Sequence, residues 1–348
     1  MFKRFLASLL VVFLLFSFAA CGKKEVFVET SSNGDTTSVE SQINPYIINP
    51  LTGVEDLPRE KNNLRPVAIM IDNDTNAQKY AQSGISEADI VYETETEGGI
   101  TRLMAVFQDI SSAPQIGDIR SARYVYVDLA MGHNAIYVHH GKDPDYCAPH
   151  LADLDNFEIG ESTGAWRHTY GSVFGWQTLF SSGEKIKANL EKKKWKMTQK
   201  ENTPWQNFAS ADETVTLTGG AANKLTAAFN TSYKTFFTYD AALGKYIKTS
   251  NKVENKDRNN GAKYAFENVF ILQTKMSYYG NQKYRRDIDL SSGVGYYAVN
   301  GTYEKINWKK GKDSDPLVFT KQDGTPLTLS AGNTWVCFIK NEAKITVE

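Results

Sequence analysis

Five consecutive apolar residues, Val67-Ala68-Ile69-Met70-Ile71, constrain this chain more than any other stretch. A run of that kind, with no polar alternation, reads as a strand covered on both faces. The chain must therefore supply a layer over each side of one sheet. With 348 residues and 41% hydrophobic content it can do so, in one large domain or two. The run ends in Asp72-Asn73-Asp74. These residues read either as a turn or helix cap or as ligand contacts at the end of a buried strand.

Further strands follow. Ala88-Asp89-Ile90-Val91-Tyr92 reads as the second, and Glu93, Glu95 and Glu97 at its exit share a face while the chain stays extended. After a Gly98-Gly99 hinge, residues 101–107 form a third strand with Arg102 near its start. Ser121 is placed to cap a helix over residues 122–131, which Gly132 ends. Residues 135–139 form a fourth strand. Beyond Gly141, glycines 160, 164, 171 and 175 punctuate aromatic stretches around Trp166, Tyr170, Phe174 and Trp176, a structured loop region. A surface helix spans residues 182–194, with Lys192, Lys193 and Lys194 suiting the dipole at its C-terminal end.

From Glu213 onward the apolar pattern has period two, broken by hairpin signals at Asn300-Gly301 and Asp323-Gly324. The fold class read from this is α+β. It combines a mixed β-sheet core with helices packed on one side in an N-terminal domain, residues 61–210, and a β-rich C-terminal domain, residues 211–348.

The first residues belong to export rather than to the fold. Lys3 and Arg4 precede an apolar run to Phe18, and Ala19-Ala20-Cys21-Gly22 follows at once. This reads as a lipoprotein signal peptide over residues 1–20. The run falls short of the roughly 20 residues a membrane span requires. Phe18 stands where such boxes usually carry leucine, while the small pair before Cys21 suits the signal peptidase. Cys21 is then the lipidation site, holding the chain on the outer face of the cytoplasmic membrane through acyl chains such as palmitate. Residues 21–60 read as a disordered tether, because their early part carries too little apolar surface to offset ordering.

A net charge of −1 gives no general attraction to nucleic acid, so no nucleic-acid partner is expected. Cys147 and Cys337 allow one disulfide without requiring it, and Cys337 reads as a small buried strand residue. No metal site is read. His139 and His140 point to opposite faces of a strand, and His150 and His168 lack a spaced partner. No cofactor motif is read either, since Gly98-Gly99 lacks the lysine and hydroxyl of a phosphate loop.

The constellation that carries chemistry is Arg102, Arg120 and Arg123 with Ser121, Asp128, His139 and the Glu93, Glu95, Glu97 face. Converging guanidinium groups suit a carboxylate or phosphate of the cell envelope. The same arginines and carboxylates also suit an internal network that satisfies itself. A wall-acting hydrolase or transferase is the alternative, needing two carboxylates roughly 5 to 10 Å apart across a groove. Cys147, eight positions after His139, has no nucleophile signature around it.

The segments RPVAIMIDN, QSGISEADIVYETETEGGITRLMAVF, IGDIRSARYVYVDLA and YVHHG together resemble the YerB-like family of bacterial lipoproteins. GYYAVNGTYEKINWKKG and GNTWVCFI resemble that family's smaller C-terminal domain. The resemblance runs from about Arg65 to the end of the chain. It implies an exported or membrane-anchored protein of mixed α and β structure, and supplies no catalytic residues. The function expected is therefore an envelope lipoprotein of undefined activity that binds a wall polymer or an envelope protein, with residues 98–141 lining the site.

Overall fold

The apolar run becomes the interior strand β1 (Val67–Asp72), every residue of it buried in the computed structural model. The structure describes residues 44–348 apart from 172, 252 and 281–283. The signal peptide, Cys21 and the tether up to residue 43 lie outside the described residues. Four more strands from the first half of the chain join β1. They are β2 (Ile90–Glu97), β3 (Ile100–Phe107), β4 (Ile136–His139) and β5 (Asn156–Glu158). A smaller sheet is built on the meander β6 (Lys224–Ala228), β7 (Lys234–Asp240) and β8 (Lys245–Ser250).

The later strands are β9 (Asn268–Thr274), β10 (Met276–Tyr278), β11 (Arg286–Ile288), β12 (Ser292–Val299), β13 (Thr302–Lys309), β14 (Val318–Lys321), β15 (Thr334–Lys340) and β16 (Ile345–Val347). Five of them enter the same sheet as β1, giving a ten-stranded mixed sheet in the order β14-β13-β12-β9-β15-β2-β3-β1-β4-β5. Strand β15 lies parallel to both β9 and β2, so it seams the two halves of the chain. The line drawn at residue 210 in sequence therefore runs through one shared sheet, and residues 45–348 form one compact unit.

Alternate residues of β1 enter different cores, as a doubly covered strand requires. Val67, Ile69 and Ile71 join Ile186 and Leu190 of α3 (Gly183–Leu190) and Leu225 and Phe237 of the smaller sheet. Ala68 and Met70 join Val125 and Leu129 of α2 (Tyr124–Gly132). The helices thus flank both faces of the sheet, which corrects the expectation that they pack on one side. A third helix, Thr75–Tyr80, is capped by Asp74, whose carboxylate accepts from the amides of Asn76 and Ala77.

Two boundaries also move. Helix α2 begins at Tyr124 with no side-chain cap, because residues 120–122 are recruited by neighbouring strands. The Arg120 amide donates to the Met70 carbonyl at 3.0 Å, and the Ala122 amide to the Gly141 carbonyl at 3.0 Å. The tether ends earlier than residue 60. Leu51 and Leu57 are buried, residues 46–47 pair with residues 57–58, and Asn49 donates to Asp89 at 2.9 Å. The turn at residues 49–53 is thus part of the folded body.

The two sheets meet at Glu93, a fully buried carboxylate on β2. It accepts from Asn73 Nδ2 at 2.9 Å, Thr101 Oγ1 at 2.9 Å, Thr235 Oγ1 at 3.0 Å and Trp335 Nε1 at 3.1 Å. Lys248, also fully buried, reaches in from β8 with its Nζ 5.1 Å from the Trp335 ring centroid. Its pKa is drawn down to about 8 by burial, which the Glu93 charge opposes. Removing Glu93 strands four donors without their acceptor and takes away a charge that favours protonated Lys248, whose Nζ donates to Ser250 Oγ at 2.6 Å. Glu93→Ala is expected to destabilise the chain by about 3 kcal/mol or more, read from the urea midpoint. A loss below about 1 kcal/mol would show that the junction does not depend on this carboxylate.

Candidate functional site

Arg102 lies on β3, directly across from Asp72 of β1 and Thr94 of β2. It is buried. Its Nη2 donates to Glu97 Oε1 at 2.7 Å and its Nη1 to the Ser121 carbonyl at 2.7 Å. Arg123, just before α2, grips the same carboxylate from the other side. Its Nε donates to Glu97 Oε2 at 2.7 Å, and its Nη2 to Oε1. This is the two-pronged geometry a guanidinium favours with a carboxylate. Burial acts to raise the Glu97 pKa, but the Arg123 hydrogen bond and both arginine charges outweigh it and hold the carboxyl below its usual value. Burial first, and then the Arg123 charge, draws Arg102 down to about 10.

Arg120 has a different partner. Its Nε lies 3.1 Å from Asp72 Oδ2, though not aligned for a hydrogen bond, and its Nη1 donates to the Trp176 carbonyl at 3.0 Å. Gln177 Nε2 approaches the same Asp72 oxygen at 3.5 Å. Next to this pair sits Asp118, wholly buried, with neither carboxyl oxygen hydrogen-bonded within the protein. Burial, and then the Asp72 charge, pushes its carboxyl well above the ordinary aspartate value. Burial thus disfavours the charged form of Asp118 beside Arg120 and Asp72. Three guanidinium groups thus gather around the carboxyl groups of Glu97 and Asp72.

The remaining residues expected at the site disperse. The face shared by Glu93, Glu95 and Glu97 breaks at a register shift between Glu95 and Glu97. Glu93 turns into the core. Glu95 is held by Arg286 Nε at 2.8 Å, and only Glu97 meets the arginine cluster. Asp128 faces Lys310 and Asp313 instead, its pKa raised to about 6 by burial and then by Asp313. His139 is buried, with Nδ1 2.8 Å from the Gly141 carbonyl and Nε2 3.2 Å from Asn156 Oδ1, and burial lowers its pKa. It is a core histidine. Ser121 contributes its carbonyl to Arg102 and lies beside Gly141, where a Cβ would stand 3.0 Å from the serine oxygen.

Arg123 also lines a narrow cleft that sequence did not reveal. Its walls are the start of α2, the turn over residues 143–147 and the hairpin β10–β11. Tyr124, Tyr146 and Tyr279 form an aromatic group there. The rings of Tyr146 and Tyr279 stack at 4.1 Å, with Tyr124 edge-on at 5.0 Å. Arg286 pairs with Glu95 at 2.7 Å and Arg285 with Asp143 at 2.5 Å across the same cleft. The adjacent pair Arg285-Arg286 was the available signal, but nothing in sequence spacing brings residue 286 to residue 95. Cys147 lines the cleft as a free thiol pushed up to about 12 by burial, so it offers no ready thiolate.

Because burial raises the folded-state pKa of Asp118 above the ordinary value of 3.8, the stability linked to its proton is complete below that value. It is lost as pH rises through the folded-state value. Asp118→Asn, uncharged at every pH, is expected to melt higher than the parent at pH 8 and to lose that advantage at pH 4. An equal difference at both pH values would contradict the upward shift of this buried carboxyl.

Comparison with known proteins adds kinship. The family model described as "Protein of unknown function (DUF3048) N-terminal domain" matches residues 51–196, and its C-terminal counterpart matches residues 225–336. The chain is 28% identical over 339 residues to "Putative lipoprotein YerB" of Bacillus subtilis (strain 168), covering 96% of this chain and 95% of that protein. The crystal structure of the YerB protein from Bacillus subtilis superposes with a TM-score of 0.73 at 28% identity. It covers 86% of this chain and 99% of that one. Matched by both parts of the family model and by a relative along nearly its whole length, this chain belongs to the DUF3048 family, whose relatives include YerB.

Proposed function

We propose that this chain is a lipoprotein, anchored outside the cytoplasmic membrane through Cys21, that binds an anionic component of the cell envelope at the face formed by Arg120, Ser121 and Arg123. The anchoring half is supported by the lipobox ending in Cys21 and by the name of its relative from Bacillus subtilis. No helix among the described residues is long and apolar enough to cross a membrane.

The binding half rests on the charge imbalance around Glu97 and Asp72. Three guanidinium groups face the two carboxyl groups of Glu97 and Asp72, and burial disfavours the charged form of the nearby Asp118. The side chains of Arg120 and Arg123 remain 19% and 17% exposed, so an external anion can reach them. A ligand carboxylate or phosphate would supply the missing charge and accept guanidinium N–H groups in a partly desolvated setting, where such bonds are strongest.

Retention on isolated wall material tests the binding half. Arg120→Ala is expected to weaken retention about tenfold and Arg123→Ala to weaken it as well, each at some cost in stability that leaves the chain folded, because Arg120 also faces buried Asp72 and holds the Trp176 carbonyl while Arg123 also holds Glu97. Cys21→Ala is expected to move the chain from the membrane fraction to the soluble fraction. Unchanged retention in both arginine variants would overturn the binding half, and membrane fractionation of Cys21→Ala would overturn the anchor.

A further inference from the structure

Beside the arginine face stand two aromatic side chains that the core does not use. Phe174 is 49% exposed and Trp176 54%, with their rings stacked at 4.5 Å and inclined by 13°. Apolar surface left open in this way costs free energy that a partner could recover.

The loop that carries the two rings is firmly held. Buried Gln177 accepts from the Phe174 amide through Oε1 at 2.9 Å and points its Nε2 at Asp72. Thr178 Oγ1 donates to the Gly175 carbonyl at 2.6 Å. Arg120, the guanidinium facing Asp72, also holds the Trp176 carbonyl. The ring pair and the cation are thus fixed relative to each other before any ligand arrives, which lowers the ordering cost of binding.

We infer that the Phe174–Trp176 shelf and Arg120 form one site for an acidic sugar, with the sugar ring lying on the shelf and its carboxylate or phosphate directed to Arg120. This rests on the anion-binding reading of the arginine face and names the ligand class for it. A pyranose presents a flat face of C–H groups, which packs on an aromatic face, and its acid group accepts from a guanidinium. Here the two rings lie against each other and their backbone is tied down, an arrangement that suits a flat ligand.

The test uses the purified full chain and four probes, followed by calorimetry and tryptophan fluorescence. They are the disaccharide of N-acetylglucosamine and N-acetylmuramic acid, neutral chitobiose, poly(glycerol phosphate), and phosphatidylglycerol vesicles. The acidic disaccharide is expected to bind, and chitobiose to bind at least about tenfold more weakly. Phe174→Ala combined with Trp176→Ala is expected to weaken the disaccharide about tenfold and leave poly(glycerol phosphate) unaffected. Arg120→Ala is expected to weaken both ligands. Both aromatic positions are solvent-facing, and the melting profile checks that the double variant folds.

Disaccharide affinity unchanged in the double variant would overturn the shelf while leaving the anion site standing. Equal affinity for chitobiose would overturn the role given to Arg120 here. Vesicle binding that depends on the two rings, with no disaccharide binding, would overturn the inference in favour of a membrane contact. If Arg120→Ala and Arg123→Ala left every anionic probe unaffected, the proposed function itself would fail.

Discussion

The junction at Glu93 is the interaction on which the rest depends. A carboxylate in a dry interior is costly unless it is fully hydrogen-bonded. Here the donors come from widely separated parts of the chain, Asn73 and Thr101 near β1 and β3, Thr235 on β7, and Trp335 on β15. Meeting those bonds fixes the smaller sheet against the larger one and fixes β15 between β9 and β2. Once β2 is placed, Glu97 at its end and Arg102 on the adjacent strand are placed as well.

The arginine face follows from the same geometry. Glu97 takes hydrogen bonds from two arginines at once, and Asp72 stands opposite the third. Internal pairing accounts for much of this cluster, as one of the two readings of the sequence expected. Three guanidinium groups still face only Glu97 and Asp72, and burial disfavours the charged form of the nearby Asp118. What looks like a closed network is closed on its inner side and open at Arg120 and Arg123, where solvent reaches the guanidinium groups.

Much of the central sheet was legible because its signals are local. The apolar run of β1, the alternation of the later strands and the turn chemistry at Asn300-Gly301 depend on neighbours in sequence. The arginines were legible for the same reason, since basic residues among buried ones require partners. Their partners were not. The register shift after Glu95 separates three glutamates that an extended strand would align, and no local pattern shows it. Arg286 reaches Glu95 across 191 residues, and the helices cover both faces because the layers are assembled from distant segments. Asp128 and His139 looked like site residues from their distance in sequence to the arginines. The helix start at Tyr124 and the strand register of β4 turn them elsewhere.

The central claim is that the arginine face binds an anion from outside the protein. Diffraction from crystals soaked with the acidic disaccharide at saturating concentration tests it most directly. Ligand density is expected with its acid group within hydrogen-bond distance of Arg120 and its ring over Trp176. Well-ordered crystals with no ligand density at either arginine, or with the ligand on another face, would contradict it.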